Sequence, residues 1–393
     1  MTYYRQVGEL PKKRHSQFRS DDGRLFPEEL VGERGFFHAS SLLYHRHQSN
    51  ILLAAEAVDV PALRPVKVPN SPLAPRHLQT RDVSAGGDAV TGRHCLLLND
   101  DVRVSFVVAD APSPLFKNAV GDELVFVKDG DAVLESQYGV LTADTGDYVR
   151  VPMGTVHRWL PGTRGAHLLV LEATGHVEIP NRYLSPRGQF LEHAPYCERD
   201  FRAPSAPLVV DDEPDVEVLV KHHDGVTLHT LAHHPFDVIG WDGTVYPWAF
   251  SIYDYEPVVK RFHMPPIALE TFSGPNFSVC SFTPRPADFD PTSVPAPYAH
   301  AALDCDEVMF FASGDYTIRR GTKVGVGSIT FHPSGWTHSP HPGGSEASIG
   351  KPAHEEYAVM VDTFRPLSLG PAAAAVEDHT YLRSWAEHPN RIR

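Results

Sequence analysis

Cysteine is scarce in this sequence: Cys95, Cys197, Cys280 and Cys305 are the four in 393 residues, and no two form a CxxC pair. That excludes a disulfide framework and fits a reducing, cytoplasmic compartment. Basic residues are also short, 35 Lys and Arg against 49 Asp and Glu, for a formal net charge of -14. An acidic balance argues against nucleic-acid or anionic-membrane partners, which favour basic surfaces. Long apolar runs are missing. No stretch approaches the ~20 residues of a membrane span, and Met1 to Leu10 has no apolar h-region. Nor does any long amphipathic helix with clear caps stand out.

Proline and glycine are plentiful instead, 35 and 29, which implies many turns. Histidine is abundant at 23, and it is the common metal ligand. The length implies two domains rather than one core. Short apolar runs bounded by Gly, Pro or Asp read as strands: Glu123–Val127, Ala132–Leu134, Tyr148–Val151 and His167–Leu171, then Phe277–Phe282, Glu307–Phe311, Ser328–Phe331 and Tyr357–Phe364. Between the halves, Ala194 to Asp215 is turn-rich and ends in Asp211-Asp212-Glu213, a connection across the surface or a strand-exchanging arm.

The two halves repeat one another. Glu123 is followed by six residues and Gly130, then by Gly146-x5-Pro152-x-Gly154-x2-His157. Glu307 is followed by six residues and Gly314, then by Gly327-x5-Pro333-x-Gly335-x2-His338. These are the two motifs of the cupin superfamily, so the chain resembles a bicupin: all-β, with two double-stranded β-helix (cupin, or jelly-roll) barrels. Glycine permits the tight turns, and alternation along a strand aims ligands into the barrel. The expected division is a degenerate N-terminal cupin with its connecting arm at residues 1–234 and a metal-binding cupin at 235–393.

Only the second half holds a full ligand set. His300, Glu307 and His338 supply two imidazoles and a carboxylate, the arrangement of non-haem Fe(II) oxygenases with open coordination positions. Zn2+ or Mn2+ could use the same ligands. In the first half Phe116 stands where a histidine precedes the glutamate, and Asn118 takes the next histidine position, leaving Glu123 and His157. That barrel reads as structural. In the second half Ala302 replaces the motif's second histidine, which makes a three-ligand site.

Beyond these motifs the C-terminal half is similar to homogentisate 1,2-dioxygenases. The similarity rests on Pro235-Phe236-Asp237-Val238-Ile239-Gly240-Trp241, Tyr246-Pro247, Pro297-Tyr298-Ala299-His300, Asp306-Glu307, Gly314-Asp315-Tyr316 and Thr337-His338-Ser339-Pro340. It runs from about Pro235 to Pro366. The resemblance implies an Fe(II) enzyme that uses O2 to open a para-hydroquinone bearing an acetate side chain, giving a maleylacetoacetate-type product, as in tyrosine and phenylalanine catabolism. It implies iron on His300, Glu307 and His338, an acid/base histidine at His263, and substrate contacts from Tyr316 and His332. It also implies a homo-oligomer, a trimer or hexamer. The family's substrate-contacting asparagine is replaced here by Ala302, so ring opening is better carried than homogentisate itself.

Structural readings stand beside these. His332 could orient a metal ligand instead of touching substrate. His341 reads either as a partner of the site or as a loop residue. The pairs His222-His223 and His233-His234 read as surface or interface residues, because neighbours on a strand face opposite ways. His45 and His47 read as structural, with no carboxylate near them in sequence. A cupin isomerase or hydrolase using another metal without O2, and a bicupin that only binds, are the competing functions.

Overall fold

A computed structural model describes residues 3–210 and 214–389. Asp211-Asp212-Glu213, the acidic end of the connecting arm, therefore lie outside the described residues. Strand dominates, as the proline and glycine content implies. The two α-helices among the described residues, Gly344–Ser348 and Ala373–Val376, have only five and four residues.

The chain folds as two double-stranded β-helix barrels. In the first, Asp147–Val151, Glu123–Ser136, Val156–Ala173, Val102–Ala109 and His94–Leu98 pair antiparallel in that order. The runs expected as two strands at Glu123–Val127 and Ala132–Leu134 form one, Glu123–Ser136, which swings between neighbours near Gly130. In the second barrel Glu270–Gly274, Phe277–Phe282, Glu356–Thr363, Asp306–Gly314 and Ser328–His332 make an antiparallel sheet. A short sheet of Arg285–Pro286 with Ala353–His354 and a backbone bridge between His300 and His338 face its open end.

The repeat has a steric cause. Gly130 and Gly314 have φ of 81° and 106°, and a Cβ at either would strike a carbonyl oxygen of the adjoining chain, Gly165 or Glu355. Only glycine fits a strand that turns this way.

The sheets do not part at residue 235. Val238–Gly243 pairs with Ser40–His45 and Arg5–Gly8, and Trp248–Ser251 pairs with Asp147–Val151, so both belong to first-half sheets. The arm joins there too, through Phe201–Arg202. In exchange, Arg76–Gln79 forms the edge of the second barrel beside Ser328–His332. Ser368–Leu369 returns to pair with His94–Leu98. One continuous apolar core lies between the barrels, where Phe126 and Phe106 meet Phe310 and Tyr148 meets Phe272 with ring centroids 6.4, 6.0 and 5.4 Å apart.

The first barrel is filled. Phe116, Val125, Leu134, Val149, Trp159 and Leu168 pack its interior. At its ligand position Arg93 grips Glu123 with both guanidinium nitrogens at 2.9 and 2.8 Å, and reaches Glu172 at 3.1 Å. Glu172 in turn binds Lys221. Asn118 donates to Glu123 at 3.1 Å. Burial pushes the Glu123 carboxyl upward, but the adjacent Arg93 charge outweighs it and holds the group below the usual carboxylate range. A fixed cation stands where a metal would.

The run Pro235–Trp241 serves this half of the fold. Phe236 and Trp241 are fully buried, and the Trp241 indole donates to the Tyr138 carbonyl at 2.8 Å. Asp237 accepts from His45 Nδ1 at 2.6 Å, and Glu29 accepts from His45 Nε2 at 2.9 Å. The structural role expected of His45 thus rests on two carboxylates remote in sequence. His47 stacks on His233 with centroids 4.0 Å apart.

Two consequences are measurable. Replacing Arg93 by Met strands a fully buried carboxylate and should cost about 3–5 kcal/mol in urea unfolding, much of it recovered by Arg93→Met with Glu123→Leu. His45 gives a pH signature. Burial lowers its pKa, yet the bonds to Asp237 and Glu29 prevail and raise it from 6.5 to about 9. Its protonated form therefore adds about 3 kcal/mol, fully present below pH 6.5 and lost as pH rises through about 9. The stability advantage of the natural protein over His45→Gln should fade across that window, and a constant advantage from pH 6 to 10 would refute the clamp.

Candidate metal centre

The second barrel places its ligands from both motifs at one end. Glu307 is the second residue of strand Asp306–Gly314, cross-strand from His332 and Asp362. His300 and His338 lie on loops, tied to each other by reciprocal backbone bonds of 2.8 and 2.9 Å. Their ligand atoms and a Glu307 oxygen all lie within 4.8 Å of one another. His300 Nε2 is 3.6 Å and His338 Nε2 3.2 Å from the carboxylate.

The tautomers suit a metal. A carbonyl oxygen only accepts, so the 3.3 Å contact between His338 Nδ1 and the Trp336 carbonyl puts the proton on Nδ1. That leaves His338 Nε2 a buried lone pair with no hydrogen-bond partner. Burial pushes the Glu307 carboxyl up, but the bond from His332 and the nearby imidazoles of His300 and His338 hold it well below the usual range. An ionised carboxylate and an orphaned imidazole nitrogen fit a divalent cation held by two histidines and one glutamate.

His332 sits behind this triad. Its Nδ1 donates to Glu307 at 3.2 Å, its Nε2 accepts from the Tyr381 hydroxyl at 2.9 Å, and its ring stacks on His338 at 3.8 Å. Burial takes its pKa down to about 4, so it is neutral at physiological pH. It is positioned to orient the carboxylate and does not line the adjoining cavity. Tyr316 is likewise buried, with its hydroxyl donating to the Ser313 and Tyr357 carbonyls at 2.7 and 2.9 Å, and it too stands outside the lining. His341 is buried, bonded to Ser384 at 2.8 Å and stacked on Trp385 at 4.1 Å.

The cavity itself measures about 200 Å³ and opens on the His300 side, where that side chain is 40% exposed. Its walls bring together His263, Tyr298, Arg285, Arg319, His354 and the three ligands, with Phe282, Met309 and Met360 as apolar surface. Tyr298 stands edge-on between His263 and His300, at centroid distances of 5.0 and 5.7 Å. His263 Nδ1 donates to the Pro295 carbonyl at 3.1 Å, which leaves Nε2 as its basic atom. Burial lowers its pKa below the ordinary imidazole value.

Arg285, Arg319 and His354 escaped the sequence reading. None belongs to a spaced motif; the sheet pairing of Arg285 with His354 brings two of them together. Among the described residues one other His/Glu cluster has metal-like spacing, Glu33, His38 and Glu178. There Arg150 and Arg34 already bind the two carboxylates, at 2.9 and 3.0 Å. It is an ion-pair knot.

Comparison with known proteins follows the same lines. The family model described as homogentisate 1,2-dioxygenase N-terminal matches residues 54–252, mostly ahead of the stretch from Pro235 to Pro366. A "putative dioxygenase" of Saccharolobus solfataricus is 35% identical over 98% of this chain and 99% of its own length. The homogentisate 1,2-dioxygenase of Bradyrhizobium diazoefficiens is 30% identical over 36% of this chain and 31% of that enzyme, so that match spans about a third of it. Among solved structures, Bacillus subtilis oxalate decarboxylase aligns at a TM-score of 0.35 and 11% identity, over 74% of this chain and 77% of that one. With half its length matched by the family model and nearly all of it by the archaeal relative, the chain belongs to the homogentisate 1,2-dioxygenase family.

Proposed function

We propose that this protein is an Fe(II)-dependent ring-cleaving dioxygenase acting on homogentisate or a related para-hydroquinone, and that both atoms of O2 enter a maleylacetoacetate-type product. The observation that carries the reading is the His300, Glu307 and His338 set opening onto a cavity of aromatic-ring size that His263 also lines. When bound, Fe(II) supplies open positions where O2 and a phenolate oxygen can meet.

The chain's own residues do the rest. His263 Nε2 takes the phenol proton; its depressed pKa keeps it unprotonated at neutral pH, and the Pro295 carbonyl fixes its tautomer. Tyr298 spaces this base from His300. His332 holds the Glu307 oxygen in place, and Tyr381 holds His332. Phe282, Met309 and Met360 form an apolar bed for the ring and limit water. Tyr316 would act on substrate only through a side-chain movement, since two carbonyls engage its hydroxyl.

We further propose a cytoplasmic homo-oligomer, a trimer or hexamer as the family implies. In support, all four cysteines are free, and no helix of the described residues is long and apolar enough to cross a membrane.

The test is anaerobic Fe(II) loading, then O2 uptake with homogentisate, gentisate and their amide or ester analogues. Uptake with a new ring-opened chromophore is expected for a para-hydroquinone. Tight Fe(II) binding without uptake from any of them would redirect the reading to a non-oxidative metal enzyme or a binding protein. His338→Ala should lose iron. His263→Ala should keep iron and lose about 10²–10⁴-fold in kcat, and normal turnover with iron fully bound would remove His263 from the mechanism. Because His263 must be unprotonated, kcat/KM should fall on the acid side with an apparent pKa below ~6.5.

A further inference from the structure

The cavity beside the candidate metal ligands contains a buried arginine that forms no ion pair among the described residues. Arg319, on the turn Thr317–Arg319, is only 5% exposed and lines the cavity. Its Nη1 donates to the Ser339 carbonyl at 3.2 Å and stands 3.5 Å from His341 Nδ1. Its Nε is buried with no hydrogen-bond partner. The guanidinium carbon lies 5.9 Å from the Trp385 ring centroid.

Among the described residues no carboxylate forms an ion pair with it: Glu355, also in the lining, makes none, and Glu356 meets its charge only through space. Glu356 is bound by Arg285 at 3.3 Å, and Asp315 by Arg320 at 2.6 Å. Lys351, the third cation of the lining, is part-exposed and also faces Asp315, at 3.9 Å. His341 offers no negative charge. A buried cation without a counter-ion is costly, and arginine presents a fork that matches a carboxylate.

We infer that Arg319 is the receptor for an anionic substituent on the ring, a carboxylate carried on a short side chain, and that it is the specificity-determining residue of this cavity. The metal ligands take the phenolic end of the ring and Arg319 takes the acid end. This also locates an anchor that neither Ala302 nor the engaged Tyr316 hydroxyl provides. The inference rests on the reading of the cavity as a substrate site, but not on turnover.

The experiment is anaerobic calorimetric titration of the Fe(II)-loaded protein with 4-hydroxyphenylacetate and with its amide, neither of which is a hydroquinone. The natural protein should bind the acid at least about tenfold tighter than the amide, the scale of a charged hydrogen bond. Arg319→Gln should abolish that preference with iron content unchanged, and Arg319→Lys should keep part of it. Equal binding of acid and amide by the natural protein, or an undiminished preference in Arg319→Gln, would overturn the assignment. If Arg319→Gln failed to hold iron, Arg319→Lys would decide: a preference of a few fold supports the receptor, and none overturns it. Absence of O2 uptake with every hydroquinone would defeat the proposed reaction while leaving the ratio of acid to amide binding intact.

Discussion

A carboxylate inside a β-barrel has to be neutralised, and the motif glutamate of each barrel meets that demand differently. Glu123 is wholly buried and receives the two-pronged guanidinium of Arg93. Glu307 receives three imidazoles and no permanent cation among the described residues. The difference decides what each barrel can do. A guanidinium has five donors and no exchangeable position, so the first barrel is closed and its interior is packed with apolar side chains. His338 Nε2 is left buried with no hydrogen-bond partner, and the second barrel keeps an open cavity there.

The first barrel nevertheless shapes the second. Its sheet forms the back wall of the shared core, its segment Arg76–Gln79 lies against the strand that ends in His332, and Asp378 bonds to His77 on that segment at 3.3 Å. The chain following Asp378 then supplies Tyr381, which fixes His332, which fixes Glu307. The ligand geometry is therefore set through contacts that cross from one barrel to the other. The first barrel is thus a frame for the second, and the strand exchange makes the two inseparable as packing units.

Much of this was legible in the sequence where the cause was local. The glycines at Gly130 and Gly314 are demanded by backbone that approaches a neighbouring carbonyl, so their spacing survives as a readable repeat. The apolar runs mark strands, and Glu307 and His338 converge because they ride on that repeat, while backbone bonds to His338 hold His300 beside them. What depends on distant pairing was not legible. Nothing near Arg93 announces that it fills a metal position, since Glu123 lies 30 residues away and its second partner Glu172 further still. The division at residue 235 missed that Val238–Gly243 and Trp248–Ser251 complete first-half sheets. The run Pro235–Trp241 lies within the residues the family model matches, and its residues build the clamp with His45 and the Trp241 anchor rather than the site.

The same distinction explains why the cavity is chemically two-sided. Motif residues, bound to the repeat, can only supply the end where the two motifs meet. Arg285, His354 and Arg319 come from connections that the repeat does not constrain: a two-stranded ribbon and a short turn after the first motif. Their chemistry is free to differ without disturbing either glycine or ligand. Burial drives His354 down to a pKa of about 4, so it adds no charge, and Arg285 is tied to Glu356. Among the described residues the cation of this wall that forms no ion pair is thus Arg319. The fold thus fixes Glu307 and His338 through a repeated strand pattern and the opposite wall through unrepeated loops, so the two ends of the cavity are built independently.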